Sequence, residues 1–172
     1  MALEGHYLGF DLRVSDIDVE DLEYFEWCGK HEFRLQRCSG CGLLRYPPTT
    51  ACPYCTDDRA EWVPVEGKGV LYSYGEVHHA IQPQFKEHLP YHILLAELDT
   101  QRGQPGEYDG LRILGNLVDT KGNLASEAMV RSVGIGTRLR IVFVDVGDGL
   151  AIPQWTVDDT ASQPSPWRYA QE

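Results

Sequence analysis

The sequence predicts a mainly β fold that consists of an N-terminal helix, a four-cysteine ribbon and a five-stranded barrel. Two observations carry this prediction. Two CxxC pairs lie between residues 38 and 55, and from residue 67 onward apolar residues recur in short runs with the period of β-strands. The chain has 172 residues, of which 42% are hydrophobic. This is enough for one small module and one barrel with a packed core.

The net charge of −11, from 26 acidic and 15 basic side chains, argues against a nucleic-acid-binding protein. Such proteins usually present a basic face to the phosphates. Residues 1–32 alone carry −7, because nine acidic residues accompany only Arg13 and Lys30. We interpret this acidic leader as a solvated helix, with a surface for a basic partner as the alternative.

The sequence also predicts where the protein works. No basic start precedes an apolar run at the N-terminus, and no stretch has the length of a bilayer span. Four of the five cysteines form CxxC pairs, which fits a metal in a reducing compartment better than a set of disulfides. We therefore expect a cytoplasmic protein without a membrane segment.

The first predicted segment, residues 1–32, comprises an arm and a helix. Residues 1–15 lack a clear period and are expected to be poorly ordered. A helix is expected at about 17–29, because apolar residues recur there at a spacing of three and Gly29 offers a stop. Cys28 is interpreted as a small apolar residue of this helix. The apolar face needs a cover, from either the same chain or another subunit.

Residues 33–66 read as three short strands joined by two cysteine turns, the pattern of a rubredoxin-like zinc ribbon. Two residues between cysteines allow both sulfurs to face one ion, and four sulfurs satisfy the tetrahedral preference of zinc. We predict one structural zinc per chain, with arginines nearby to offset its thiolate charge (Arg34, Arg37 and Arg45). Redox chemistry at one CxxC is the weaker alternative, because no long helix follows either pair. The predicted ligands are Cys38, Cys41, Cys52 and Cys55.

Residues 67–158 are predicted to form a five-stranded OB-fold barrel. The expected strands lie at 69–77, 91–98, 111–118, 138–146 and 150–155, with a short helix at 126–130. A helix between the third and fourth of five strands is the order of an OB-fold. Gly147-Asp148-Gly149 predicts a hairpin, and Pro153 predicts an edge or a bulge. The polar segment 159–172 is expected to be a disordered tail.

The ordered set of these motifs resembles a known family. It includes Arg37-Cys38-x-x-Cys41-Gly42, Arg45-Tyr46-Pro47-Pro48, Gly67-x-Gly69-x-x-Tyr72-Ser73 and Val142-Phe143-x-Asp145-x-x-Asp148-Gly149-Leu150. The chain is similar over residues 20–157 to the zinc-ribbon/OB-fold family of acyl-CoA-associated proteins, formerly a domain of unknown function. Two segments, 100–110 and 119–133, depart from the family pattern and leave the particular partner and substrate open.

The resemblance implies a function that the residues alone do not reveal. Family members are partner subunits of thiolase-fold enzymes, such as thiolases and the aldolases that shorten steroid side chains. It therefore implies a non-catalytic accessory subunit that binds and activates a thiolase or retro-aldolase in lipid metabolism, with steroid or aromatic acyl-CoA as the substrate class. The implied assembly is a hetero-oligomer with two copies of each chain, and whether this chain contacts the CoA thioester stays open.

The segment 78–91 is the predicted contact with partner or acyl-CoA. Four of the six histidines flank it, and we favour surface roles for them over acid–base catalysis, because no nucleophile or carboxylate stands near them in a recognisable spacing. No catalytic residue is predicted. Apolar groups on this loop indicate an interface, also expected on the apolar helix face. The predicted loop residues are His78, His79, Phe85 and Tyr91.

Three other functions stay open. The barrel could bind single-stranded nucleic acid on an aromatic platform of Tyr72, Tyr74 and Tyr91, although the acidic composition opposes it. The chain could instead be a subunit of an acyl-CoA hydratase. It could also be a stand-alone hydrolase or hydratase that uses the histidine loop.

Overall fold

The computed structural model describes residues 1–168 and divides into two compact units. The first consists of Met1–Glu66, Thr100–Leu111 and Phe143–Pro153. Among the described residues, the second consists of Gly67–Asp99, Arg112–Val142 and residues 154–168. Within the described residues no helix is both long and apolar enough to cross a membrane.

The N-terminal arm forms a β-hairpin, so the expectation of poor order over residues 1–15 is wrong. Strands β1 (Leu3–Tyr7) and β2 (Phe10–Val14) pair antiparallel. Leu8 and Gly9 connect them with φ of 47° and 84°, the backbone that a two-residue hairpin turn requires. Exposed and half-buried residues alternate along both strands, and this period of two was the signal in the sequence.

Helix α1 (Val19–Gly29) follows and packs on the ribbon that comes after it. Its buried side chains are Tyr24 and Cys28, as the small apolar role of Cys28 predicted. The ring of Tyr24 lies 5.8 Å from that of Tyr46 and 6.4 Å from that of Trp62. The first unit therefore covers much of the apolar helix face itself.

The ribbon contains a three-stranded antiparallel sheet with the order β4-β3-β5. Its strands are β3 (Arg34–Cys38), β4 (Leu44–Arg45) and β5 (Ala60–Pro64). Residue Gln36 of the central strand lies opposite Arg45 on one side and Trp62 on the other. Leu35 is fully buried and contributes to the small core of this unit.

The five predicted barrel strands form one sheet. They are β6 (Lys68–Val77), β7 (Tyr91–Leu98), β8 (Arg112–Asn116), β9 (Arg138–Gly147) and β10 (Leu150–Val157), and helix α2 (Glu127–Ser132) lies between β8 and β9. The hydrogen-bonded order is β10-β9-β6-β7-β8.

A parallel bridge between Leu117 and Trp155 joins the two ends of this order, because the Val118 N–H donates to the Trp155 carbonyl at 2.8 Å. This connection closes the sheet as an OB-fold requires, and the predicted fold class is confirmed. Pro153 lies on β10, the strand at the end of the sheet order, where its missing N–H is tolerated. Gly149 has φ of +71° in the hairpin between β9 and β10.

The barrel interior is filled by alternate residues of the strands. Trp155 is the largest fully buried side chain, and its indole N–H donates to the Ile113 carbonyl at 3.2 Å. Leu94, Leu98 and Leu139 are also completely buried. Inward and outward positions alternate strictly along β7, so the same strands present a second set of residues outward.

The described part of the C-terminal segment is not a disordered tail. Trp167 pairs with Ile135 through hydrogen bonds of 2.8 and 2.9 Å in both directions. The guanidinium of Arg168 donates to the carbonyls of Val130 and Val133 at 2.5 and 2.6 Å. Residues 159–168 thus pack on the second unit, while the remainder of the predicted tail, 169–172, lies outside the described residues.

Candidate metal centre and histidine cluster

Two turns of similar geometry present the four predicted zinc ligands. In the first, the Gly42 N–H donates to the Cys38 carbonyl at 3.0 Å, and in the second, the Thr56 N–H donates to the Cys52 carbonyl at 2.9 Å. Gly42 and Thr56 have φ of 76° and 64°, respectively. This left-handed residue after each CxxC folds the chain back toward its first cysteine.

The four sulfur atoms converge on one point. The Sγ atoms of Cys38, Cys41, Cys52 and Cys55 all lie within 4.8 Å of one another. Cys38 and Cys55 are 3.5 Å apart, and Cys41 and Cys52 are 3.6 Å apart. A disulfide needs about 2 Å between sulfurs, whereas a tetrahedral zinc with Zn–S bonds of about 2.3 Å places its sulfurs roughly 3.8 Å apart. The donor set therefore fits a tetrahedral metal ion and not a disulfide.

The backbone favours thiolates at the two buried cysteines. Hydrogen bonds from the backbone N–H groups of Cys41 and Gly40 lower the pKa of Cys38, and the Gly40 nitrogen lies 3.3 Å from its sulfur. Burial opposes ionisation of Cys52, but its backbone N–H donors bring the pKa of that thiol to about 6.

Sulfur crowding opposes the ionisation of all four cysteines at once. The backbone N–H of Asp57 favours a Cys55 thiolate, yet the neighbouring sulfurs, that of Cys38 first, raise its pKa to about 12. Four thiolates so close together need a cation between them. A metal ion held by four protein ligands would have no open position for a substrate.

The arginines expected to offset the thiolate charge pair with groups other than the sulfurs. Arg34 pairs with Glu32, and Arg37 pairs with Glu61. Arg45 donates a hydrogen bond to Gln36. Arg59, which the sequence reasoning did not single out, is the cation near the sulfurs. Its hydrogen bonds to Asp57 hold the pKa of that carboxyl at about 2, and the Cys38 thiolate contributes to the raised pKa of Arg59 itself.

A second polar cluster lies in the barrel unit around the carboxylate of Glu76. Its oxygens lie 3.0 Å from His78 Nε2, 3.1 Å from His92 Nε2 and 3.0 Å from an Arg168 guanidinium nitrogen. The His92 side chain has 0% exposure and that of Glu76 has 14%. The ring of Tyr74 covers His92 at 4.9 Å between centroids.

Burial and pairing set the charges in this cluster. Burial disfavours the Glu76 carboxylate, but the hydrogen bond and charge of His92, aided by His78 and Arg168, lower its pKa overall. Burial lowers the pKa of His92, although Glu76 opposes that shift. At neutral pH the cluster is thus an ionised carboxylate beside a buried neutral imidazole, and Arg168 ties the described C-terminal segment to it.

The expectation that no carboxylate stands near the histidines is wrong, because Glu76 joins His78 and His92. The register between β6 and β7 explains why these side chains meet. Glu76 and His92 are directly opposite in the β6–β7 pair, and His78 follows Glu76 by two residues. The cluster does not include the other two histidines of this loop, and His79 is exposed.

The loop before β7 presents two aromatic rings and one isolated aliphatic side chain. It contains a 3-10 helix, Pro83–His88. The rings of Phe85 and Tyr91 lie 5.2 Å apart, and both side chains are half-buried. Ile81 is 89% exposed.

The outward residues of the neighbouring strands form what we call the outer strip, which consists of Tyr72, Ile93 and Leu114. These large side chains are 47%, 41% and 62% exposed on β6, β7 and β8. They lie on three adjacent strands of one sheet. The guanidinium of Arg112 stacks on the Tyr72 ring at 4.0 Å. Tyr74 and Tyr91 likewise contact His92 and Phe85. Each of the three tyrosines proposed as a platform for nucleic-acid bases therefore contacts another side chain of this chain.

Comparison with protein families identifies both halves of this architecture. The model of the "ChsH2, rubredoxin-like zinc ribbon domain" matches residues 27–61, and that of the "ChsH2, C-terminal OB-fold domain" matches residues 62–144. The two matches are contiguous and contain the four cysteines and the strands from β3 to most of β9.

Two curated relatives match part of the chain. A "Probable enoyl-CoA hydratase alpha subunit" of Thermomonospora curvata is 33% identical over 102 residues, which are 59% of this chain and 28% of the relative. A "DUF35 domain-containing scaffold protein" of Methanocaldococcus jannaschii is 35% identical over 86 residues, 49% of this chain and 54% of the relative. The chain thus spans about a quarter and about half of the lengths of these relatives.

Two solved structures share the fold. A chain of the "Ltp2-ChsH2(DUF35) aldolase" superposes with a TM-score of 0.65 and 26% identity, covering 84% of this chain and 98% of that one. A DUF35-family protein of unknown function from Sulfolobus solfataricus gives a TM-score of 0.50 at 17% identity, covering 82% and 87% of the respective chains. The second likeness concerns the fold alone.

Proposed function

The chain belongs to the ChsH2 (DUF35) family, in which a rubredoxin-like zinc ribbon precedes an OB-fold domain, and we propose that it is a non-catalytic accessory subunit of a thiolase-fold acyl-CoA enzyme. The observation that carries this proposal is the likeness to a chain of the Ltp2-ChsH2(DUF35) aldolase, which extends over 98% of that chain. The M. jannaschii relative is itself named a scaffold protein.

The chemistry of the described residues supports an accessory role. The four-cysteine site has no open coordination position, and we propose that it holds one structural zinc per chain. The Glu76 cluster has acid–base groups, but its carboxylate is already paired with three cations or imidazoles. An enzyme would need a nucleophile or a free base within reach of substrate, and the contacts around Glu76 provide neither.

The proposed docking surface combines the outer strip with the loop 78–91. The exposed apolar side chains of Ile93 and Leu114 belong to neighbouring strands, and Tyr91 begins the strand that carries Ile93. Exposed apolar groups grouped in this way are typical of protein interfaces. We propose that the partner is a thiolase-fold aldolase or thiolase, with His78, His79, Phe85 and Tyr91 on the side of its acyl-CoA.

A second candidate is a subunit of an acyl-CoA hydratase, because the T. curvata relative has that name. The same surfaces would then dock on a hydratase chain. The two candidates differ in the fold of the partner. In both of them this chain is the non-catalytic subunit and the partner carries the catalytic residues.

Affinity purification of the tagged chain from its native cells, followed by mass spectrometry, tests the proposal. We expect a thiolase-fold protein in equal amount, and retro-aldol or thiolytic activity in the complex but not in the isolated chain. Phe85→Asp and Leu114→Asp should abolish co-purification, whereas Gln84→Asp, on the same exposed 3-10 helix, should not. Turnover of a CoA thioester by the isolated chain would refute the accessory role, and recovery of only a hydratase chain would favour the second candidate.

A further inference from the structure

The first unit contains an open groove of about 490 Å³ that the proposed function does not use. One side of it is the start of helix α1, and the other is formed by the ribbon sheet and its loops. Its lining includes apolar, acidic and cationic side chains, among them Val19, Glu20, Glu23, Arg45, Asp58 and Trp62.

A buried arginine with an unused donor lines this groove. Arg45 is 2% exposed, and its Nε donates to the Gln36 side-chain oxygen at 2.7 Å. The same oxygen accepts from the Thr49 N–H at 3.0 Å, which holds Gln36 and therefore the guanidinium in place. Arg45 Nη1 has no acceptor among residues 1–168. A buried donor of a charged group without an acceptor is costly, so this atom indicates a missing ligand.

The carboxylates that line the groove restrict what that ligand can be. A hydrogen bond with Thr50 is the main cause of a lowered pKa at Glu20, and Glu23 accepts from the Trp62 indole N–H at 2.6 Å. Asp58 adds a third acid. An anion that approached Arg45 would meet the repulsion of these three groups. A neutral acceptor such as a peptide carbonyl avoids that repulsion, and a cationic side chain beside it is attracted to the acids.

We propose that this groove binds an extended, lysine- or arginine-rich segment of a partner protein. Because Arg45 Nη1 is buried, the side chains that cover it must shift before a main-chain carbonyl of the segment can accept from it. The cationic side chains of the segment lie against Glu20, Glu23 and Asp58. The net charge of −7 over residues 1–32 attracts such a segment from a distance. The residues of the groove and of the outer strip do not overlap, so this site stands whether or not the partner is an aldolase.

Binding of labelled peptides to the zinc-loaded full chain tests the proposal. The probes are a fluorescein-labelled peptide of alternating lysine and alanine and its counterpart of alternating glutamate and alanine. Fluorescence anisotropy reports affinity, and the indole N–H resonance of Trp62 reports whether the groove is the site. We expect the lysine peptide alone to bind, to shift that resonance and to weaken with added salt.

Two kinds of variant locate the interaction. Glu20→Gln should weaken binding of the lysine peptide roughly fivefold, the upper range for an exposed ion pair. The matched control Asp21→Asn removes one charge from the same helical turn outside the groove and should leave affinity unchanged. Arg45→Lys keeps the charge but loses the planar donor pair, and about tenfold weaker binding is expected. Because Arg45 is buried, its variant is checked by circular dichroism, while Glu20→Gln leaves the core intact.

Three results would overturn the proposal. They are equal weakening by Glu20→Gln and Asp21→Asn, tighter binding of the glutamate peptide, which would indicate an anion site, and the absence of binding by either peptide.

Discussion

Acidification should destabilise the barrel unit through His92, and the sign follows from its burial. Its pKa in the folded chain is lowered from the ordinary value of 6.5, chiefly by desolvation. Below about pH 6.5 the unfolded chain therefore takes up a proton that the folded chain refuses. The free energy of unfolding must fall as pH drops through this window, by at most about 1.4 kcal/mol per pH unit for one proton.

Glu76 acts in the same direction at lower pH. Its pKa is lowered in the folded chain from the ordinary 4.5. Its contribution to stability is fully present above that value and is lost as pH falls through the folded pKa. The groups that face His92 are Glu76, with Arg168 and His78 beside it, and the ring of Tyr74. Loss of the Glu76 charge also weakens its ion pair with Arg168.

Urea denaturation at several pH values between about 7.5 and 5 measures this effect. His92→Gln keeps a side-chain N–H donor for Glu76 and cannot titrate in this range, so its stability should fall less steeply below about pH 6.5. The control His79→Gln removes an exposed imidazole of the same loop and should retain the wild-type profile. If the wild type and His92→Gln show parallel profiles, His92 does not titrate differently on folding and the reasoning is wrong.

Three further predictions concern metal binding and packing. Cys52→Ala should reduce zinc from about one per chain to none and increase hydrogen exchange over residues 33–66, because so small a ribbon depends on its metal; an intact ribbon without zinc would contradict this. Leu94→Ala, at a fully buried position, should cost about 3 kcal/mol in urea denaturation, and a cost below about 1 kcal/mol would mean that the barrel repacks. Gly69→Ala should lower the melting temperature, because its Cβ would lie 2.2 Å from the Glu97 carbonyl oxygen, and an unchanged value would show that the strands separate easily there.

Much of the fold could be predicted because its signals are local. The alternation along β7 and the hairpin around Gly149 depend on residues adjacent in the chain. The α2 helix was expected from a short run that begins after Ser126, whose hydroxyl accepts from the Met129 N–H. The N-terminal arm was not predicted to form strands. Its residues alternate between exposed and half-buried positions along β1 and β2, but five residues are too few for a strand to be predicted without knowledge of the strand that pairs with it.

The candidate sites divide in the same way. The four clustered cysteines lie on two local turns, so their spacing sufficed to predict that they come together. The Glu76 cluster needs a cross-strand pair and a residue that is 92 positions away, Arg168. The groove around Arg45 needs a helix and three strands to meet. Arg45 was expected to offset the thiolate charge, and the structure pairs it with Gln36.

The sequence by itself determined the four-cysteine cluster, the number and order of the barrel strands and the acidic character of the leader. These properties arise from spacing, periodicity and composition, which act over a few residues or over the whole chain at once. Only the tertiary structure decided which charges became buried, which of them found partners and which apolar side chains stayed exposed. Burial and pairing depend on distances between segments far apart in the chain, and those distances are set by how the folded elements pack.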